Sequence, residues 1–500
     1  MPSLAHKTVP INSATHPRPW LGAAGVLWAV GTLAWFLVSD GYPLSDAVQT
    51  FGIAVILTSL GIIGAAAMSR AQSVSTALAQ LKLGPWIAIG FSIGFGFATL
   101  VWLRGDIEGY HGFVTQSTLY IGGIVAGTGF ISLTFGYRFA PRFFCQGVSS
   151  ADSHLRGNGA FASGARSVWA LWTVSVAAQA ISIARGSFGY LSDPSAALST
   201  TSSSNAVLSA LSQLGLLCTV IAAWRVAANR SPGALGLLVW VAGTQLVLGI
   251  LSGLKEAAIV QLVAIVVGYS CRSKLRLRLL VVGALIAVFI VTPFVTAYRA
   301  AVVNGTSRLS PAQVLTEVQF GALFSSSAAS NTSGNSLNAA EDRLSRIGDV
   351  SIIAEKTPST IPYKSSMELL SGPILGLIPR SIWPGKPVLD AGYQTNTEYY
   401  GAAASIHSSA AVTPYGDLYR RGGIVVVIVG MAVLGMFVRA VDDREGASPR
   451  LDPRLMFLPM LLFATLVKQE MDYLGLSATI VSVVLSAAFG ARLASRRAQR

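Results

Sequence analysis

The chain has 500 residues, of which 52% are apolar and only 12% charged, and its mean hydropathy is +0.58. Soluble domains carry about 25% charged residues, so an ordinary soluble globule is excluded and lipid is the expected solvent. The formal charge of +14 does not point to nucleic acid: the cations gather in short loops and at Arg492, Arg496, Arg497 and Arg500, the pattern that membrane topology and anionic lipid produce.

A spanning helix needs about 20 mostly apolar residues. In chain order, such stretches fall near 20–38, 47–68, 84–103, 113–135, 167–184, 206–224, 233–252, 256–271, 279–298, 423–439, 454–469 and 475–491. The expected fold is therefore all-α: a polytopic transmembrane helix bundle of about 12 spans with one large extracytoplasmic loop. The polar start, Met1–Arg18, lacks a small-residue cleavage pattern, so the first span reads as a retained signal anchor. The glycines of GFSIGFGF at 90–97 suit close helix packing in lipid. No internal repeat of the transporter kind stands out.

Alternate loops carry the basic residues: Arg70 and Lys82, Arg138 to Arg166, Arg225 and Arg230, Arg272 to Arg278, and Arg444 to Arg454. The loops near 39–46 and 470–474 have no Lys or Arg. The positive-inside rule then puts both termini in the cytoplasm and the segment 299–422 outside. Three regions result: spans one to nine over 1–298, the outer loop over 299–422 with its ordered part at 343–422, and the last three spans with a cytoplasmic tail over 423–500. SSSAASNTSGNS at 325–336 reads as a flexible stretch. Met367–Leu377 is apolar enough to lie on or dip into the membrane.

The chain has no P-loop, dinucleotide fingerprint, HExxH or GxSxG. Cys145, Cys218 and Cys271 have no metal or redox spacing and only five histidines exist, so neither a metal nor another cofactor is expected. Chemistry concentrates in the outer loop. GLIPRSIWPGKP at 376–387 holds Arg380 and Lys386, separated by Trp383 and bracketed by prolines. Prolines fix the backbone and remove donors, giving a rigid irregular loop. Its cations could bind phosphate, Arg in two-pronged fashion and Lys as a point charge. An interfacial anchor, with Trp383 in the aromatic belt, is an equal reading. Asp390, Glu398, His407 and Asp417 are candidate bases, and Tyr393, Tyr399, Tyr400 and Tyr415 could stack on sugar rings. Taken singly, each fits an ordinary polar loop better. Lys255, beside Glu256 at the start of the eighth stretch, and Arg299, closing the ninth, are ionisable residues at span ends. They serve a site or snorkel to the interface.

SGLKEAAI at 252–259, RIGDV at 346–350, IPRSIWPGKP at 378–387 and YGDLYRRGGIVVVIVG at 415–430, with many spans and a large loop before the last few, resemble the O-antigen polymerase family, the Wzy-type oligosaccharide repeat-unit polymerases. The match covers roughly 250–430. Many such relatives carry Arg where this chain has Lys255, which keeps the charge but not the fork geometry. The resemblance implies a metal-independent glycosyltransferase of the bacterial cytoplasmic membrane. It would transfer a growing glycan from undecaprenyl diphosphate to the next lipid-linked oligosaccharide repeat unit, on the outer face, for surface or exopolysaccharide synthesis. Arg380, Lys386 and Arg299, supported by Lys255, would hold the diphosphate; Asp417 or His407 would handle the acceptor hydroxyl; Trp383, Tyr399 and Tyr415 would hold sugars. Its partners would be membrane lipids, the lipid-linked oligosaccharide and other polysaccharide export proteins. A glycan ligase, a transporter or flippase of lipid-linked oligosaccharide, and a non-catalytic scaffold of the assembly machinery are the alternatives.

Overall fold

The computed structural model describes residues 44–69, 81–104, 114–141, 165–189, 203–272, 346–378, 390–402, 410–443 and 453–495, apart from residues 403–409, together with isolated positions such as Val291, Val295, Trp383 and Lys386. Every element among the described residues is helical. In chain order they are α1 (Leu44–Ser69), α2 (Leu83–Leu103), α3 (Gln116–Phe139), α4 (Ala165–Ala184), α5 (Ser203–Ser212), α6 (Leu214–Ala228), α7 (Pro232–Leu251), α8 (Lys255–Ser270), α9 (Arg346–Lys356), α10 (Glu368–Leu377), α11 (Ala391–Tyr400), α12 (Pro414–Arg420), α13 (Gly423–Asp442), α14 (Phe457–Lys468) and α15 (Tyr473–Ser495).

Eight helices among these residues are long and apolar enough to cross a membrane: Asp46–Ser69, Leu83–Leu103, Ser117–Phe139, Ala165–Ala184, Val207–Ala228, Pro232–Leu251, Gly423–Asp442 and Tyr473–Arg492. That is compatible with a multi-pass membrane protein. Large apolar side chains such as Ile56, Ile63, Val239 and Val425 are exposed on them, as lipid-facing surfaces require. The other expected spans fare differently. The stretch 20–38 lies outside the described residues, and so does nearly all of 279–298, though Val291 and Val295 pack on Ala258. The eighth and eleventh stretches are the short helices α8, 16 residues, and α14, 12 residues. Ser252 and a left-handed Gly253 (φ 69°) precede the start of α8, and Gln469 (φ 53°) ends α14.

Local sequence sets the helix starts. Thr115 and Thr118 form a reciprocal capping box on α3. Ser231 and Thr413 cap α7 and α12, each followed by Pro at the first helical position. Asp390 caps α11 by accepting from the Tyr393 N–H at 3.3 Å. Glycines set the tightest packing. Gly136 of α3 rests on the Ala432 carbonyl of α13, and Gly435 of α13 on the Leu133 carbonyl of α3, so these parallel helices form the most extensive pair of the fold.

Part of the long segment expected to be an outer loop is packed into the bundle. Residues Ile347 to Ala354 of α9 are all buried, against α3 and α12. Ser351 sits on Gly122. The amphipathic-looking stretch 368–377 is α10, lying along α15: Gly372 meets Ser477 and Leu474, and Gly376 meets the Ala478 carbonyl, small residues four apart that let two backbones approach. The segment 299–345 lies outside the described residues.

Neighbouring contacts fix a level inside the bundle. Tyr415 of α12 packs on Gly129, midway along α3. Beside α2, α14 puts Phe463 on Trp86, ring centroids 5.2 Å apart, and the Val467 carbonyl on Gly90. It stops at Gln469, whose Nε2 donates to the Ile87 carbonyl at 2.9 Å and whose Oε1 accepts from Tyr415 at 2.6 Å. Lys468 reaches Glu256 at 2.7 Å, so α8 starts where α14 ends. The starts of α8, α13 and α15 and the end of α14 thus meet part-way along α2 and α3.

Candidate functional site

Charged side chains collect at that level in two groups. The first is centred on Asp417 in the first turn of α12, with 0% exposure. Its Oδ1 accepts from Arg420 Nε at 2.8 Å and Arg421 Nε at 3.0 Å, and its Oδ2 from the Leu474 N–H at the start of α15 at 3.1 Å. The spacing i, i+3, i+4 puts both guanidiniums over one carboxylate. Arg420 also donates to Thr395 Oγ1 at 3.1 Å. Arg421 Nη1 bridges to Glu368 Oε2 of α10 at 2.5 Å and to the Ser365 carbonyl at 3.4 Å. Burial by itself would raise the Asp417 carboxyl, but Arg420, Arg421 and the Leu474 N–H outweigh it and hold it below its ordinary value. Arg421 is raised: burial opposes its charge, and Asp417 and Glu368 more than restore it. Asp472 is raised by burial and by Asp417. Burying ions costs several kcal/mol each unless geometry and hydrogen bonds compensate, and here Asp417, Arg420 and Arg421 each have a partner beyond α12 as well as one another.

The second group is a chain of ion pairs, Glu256–Lys468–Glu470–Arg346, joining α8, α14 and α9. Lys468 lies 2.7 Å from Glu256 and 3.1 Å from Glu470, and Arg346 pairs with Glu470. It is half-exposed, whereas in the first group Asp417, Arg420 and Arg421 are buried and Glu368 reaches the surface. Between the groups stand Tyr400, donating to Asp349 at 2.8 Å, and the Tyr415–Gln469 pair.

Beside the first group, a groove of about 570 Å³ runs between α10, α13 and α15. It starts at Ser366 and Leu369 and continues past Val425, Val429 and Val433 to Phe437 and Val481. Its walls are apolar, and Leu370, Val425 and Val429 are more than half exposed on them. At its head stand Glu368 and the Arg421 bridge.

The expected site residues are spread over this arrangement. Asp417 is internal and ion-paired; its carboxylate orders two arginines and has no surface for an acceptor hydroxyl. Lys386 donates to the carbonyls of Leu375 and, at 3.1 Å, Ile378, so it caps the C-terminus of α10. Lys255 is the first residue of α8, half-buried beside the Glu256 ion pair. Trp383 is exposed. Tyr399 and Tyr415 are fully buried, Tyr399 sharing a 2.7 Å hydrogen bond with Thr357. Burial raises both phenols, and neither ring offers a face to a sugar. Arg299, Arg380 and His407 lie outside the described residues. The sequence reading passed over Arg420, Arg421, Glu368 and Glu470. The signal for the first two was present: T-P starts a helix and D-x-x-R-R follows it.

A family model for a domain of unknown function (DUF8712) matches residues 177–445, over half of the chain. The chain belongs to the DUF8712 family. No curated protein and no solved structure matches it. The family's stretch contains Glu256, Arg346, Glu368, Asp417, Arg420 and Arg421, whereas their partners Lys468, Glu470 and Asp472 follow it in the chain. Among the described residues, no group of His, Cys, Asp and Glu is arranged to hold a metal ion.

Proposed function

We propose that this protein polymerises lipid-linked oligosaccharide, transferring a growing glycan from a polyprenyl diphosphate carrier to the next lipid-linked repeat unit at the outer side of a bacterial cytoplasmic membrane. One observation carries the reading. The segments 252–259, 346–350 and 415–430, which resemble the O-antigen polymerases, lie far apart in sequence, yet Glu256, Arg346 and the Asp417 cluster stand at one charged level inside an apolar bundle. Ionisable groups at such depth mark substrate sites by default.

The groove between α10, α13 and α15 suits the hydrocarbon of the carrier, with Arg421 at its head for the diphosphate. In the transfer, the acceptor hydroxyl attacks the anomeric carbon, its C–O bond forms, and the bond to the diphosphate breaks. Negative charge grows on the departing phosphate, where the fixed Arg421 guanidinium stabilises it. The hydroxyl proton passes to a carboxylate or to the leaving phosphate; the half-exposed Glu368 is placed for it. Asp417 is a positioning residue that aims Arg421, while Arg420 braces it from the inner side against Thr395. No nucleotide is required, because the diphosphate is already a leaving group.

Cells lacking the protein should carry exported single repeat units and no long chains. Repeat units trapped on the cytoplasmic side would favour the flippase reading, and long chains that are made but not attached would favour the ligase.

A further inference from the structure

A second polar pocket lies where α6 ends, α7 begins and α8 ends, at the end of the bundle that carries the basic loops. Its volume is about 280 Å³, and it is lined by Trp224, Arg225, Ala228, Asn229, Ser231, Ala234 and Arg272. Ordinary small-ligand pockets start at about 300 Å³, so this one fits a single headgroup. Two of its seven lining residues are arginines and none is acidic.

Three observations point to an anion. Arg225 Nε is buried and has no hydrogen-bond partner among the described residues. Arg272 lays its guanidinium over the Trp224 ring, 5.0 Å from the centroid, which holds a planar fork in one orientation. The N-terminus of α7, a 20-residue helix capped by Ser231, faces the same space, and helix N-termini favour negative charge. Arg225 is only half-exposed, whereas Arg230, five residues on, extends to water.

We propose that this pocket binds a phosphate ester, gripped by Arg225 and Arg272 over the N-terminus of α7. The phosphate comes either from the headgroup of an anionic phospholipid in the adjoining leaflet or from a soluble phosphate compound. The inference is independent of the polymerase reading, since the pocket is far along α6 and α8 from the charged level.

The test is native mass spectrometry of the full chain, with one arm titrating phosphatidylglycerol in detergent and the other following thermal unfolding with inorganic phosphate against chloride at matched ionic strength. Wild type should retain one phosphatidylglycerol about tenfold more tightly than R225Q or R272Q, as expected for losing a charge-assisted contact. If the source is soluble, phosphate should instead raise the unfolding temperature of wild type and not of the variants. R230Q, with the same change in net charge, should match wild type in both arms. Should R225Q fail to fold, the exposed R272Q carries the comparison. Equal binding by wild type, R225Q and R272Q in both arms overturns the proposal, as does a loss in R230Q equal to theirs, which would mean diffuse charge rather than a built site.

Discussion

Two aspartates at different levels of the bundle, Asp442 half-buried and Asp417 fully buried, are satisfied in opposite ways. Near the basic end, Asp442 accepts from the Leu83 N–H at 2.7 Å, the Gly84 N–H at 3.0 Å and the Tyr137 hydroxyl at 2.9 Å. It closes the open start of α2 with the end of α13, and its donors are fixed backbone and a neutral phenol. At the inner level Asp417 is held chiefly by two guanidiniums on its own short helix, one of them shared with a half-exposed Glu368. The first arrangement is what a helix end needs. The second gathers more charge than any helix end needs, beside an apolar groove, and that surplus is what the proposed function uses.

Variants should separate the two. Asp417→Ala leaves two guanidiniums buried without their common partner and should cost about 3–5 kcal/mol, read as loss of folded protein in detergent unfolding and of polymer in cells. The pH dependence has a definite sign. The folded Asp417 carboxyl lies below its unfolded value, about 3.9, so its stabilisation is full above that pH and is lost as pH falls through the folded value. Acid unfolding of Asp417→Ala should be less steep than that of wild type in this range. Gly376→Leu drives a side chain into the Ala478 carbonyl and should cost about 1–3 kcal/mol by overpacking, opening the groove and lowering activity further than stability alone explains. Asp442→Asn keeps the shape of a capping group but loses its charge; a cost of about 0.5–2 kcal/mol, with chain elongation intact, would confirm that this acid only joins helices. Glu256→Gln removes one partner of a half-exposed pair, and its effect on stability should stay under about 1 kcal/mol.

The long spans were legible because lipid demands a run of apolar residues and little else, and eight of the expected stretches reappear within a few residues. The shorter stretches 256–271 and 454–469 also reappear, as α8 and as a 3-10 turn over Pro453–Met456 that runs into α14; Gly253 and Gln469 bound them by backbone conformation, which hydropathy does not register. The burial of α9 was hidden: RIGDVSIIAEK looks like a surface helix, and glycines on its neighbours, Gly122 and Gly123 on α3 and Gly416 on α12, give it room. Within the segments singled out for chemistry, two side chains are engaged otherwise than expected. Asp417 looked like a base because lone acids in loops often are, but its arginines stand three and four residues on, and a helix folds them back onto it. Lys386 looked like a phosphate ligand, yet the nearby carbonyls of a helix end compete for the same ammonium.

The most direct measurement gives purified protein a lipid-diphosphate-linked repeat unit, with chelator and without nucleotide, and follows glycan length. The account predicts a ladder of longer lipid-linked chains from this single substrate, and with Arg421→Ala, in folded protein, a ladder slowed roughly a hundred- to thousand-fold, as for losing a contact to a developing anion. A repeat unit that changes leaflet but never length would contradict it, and so would a full-speed ladder from Arg421→Ala.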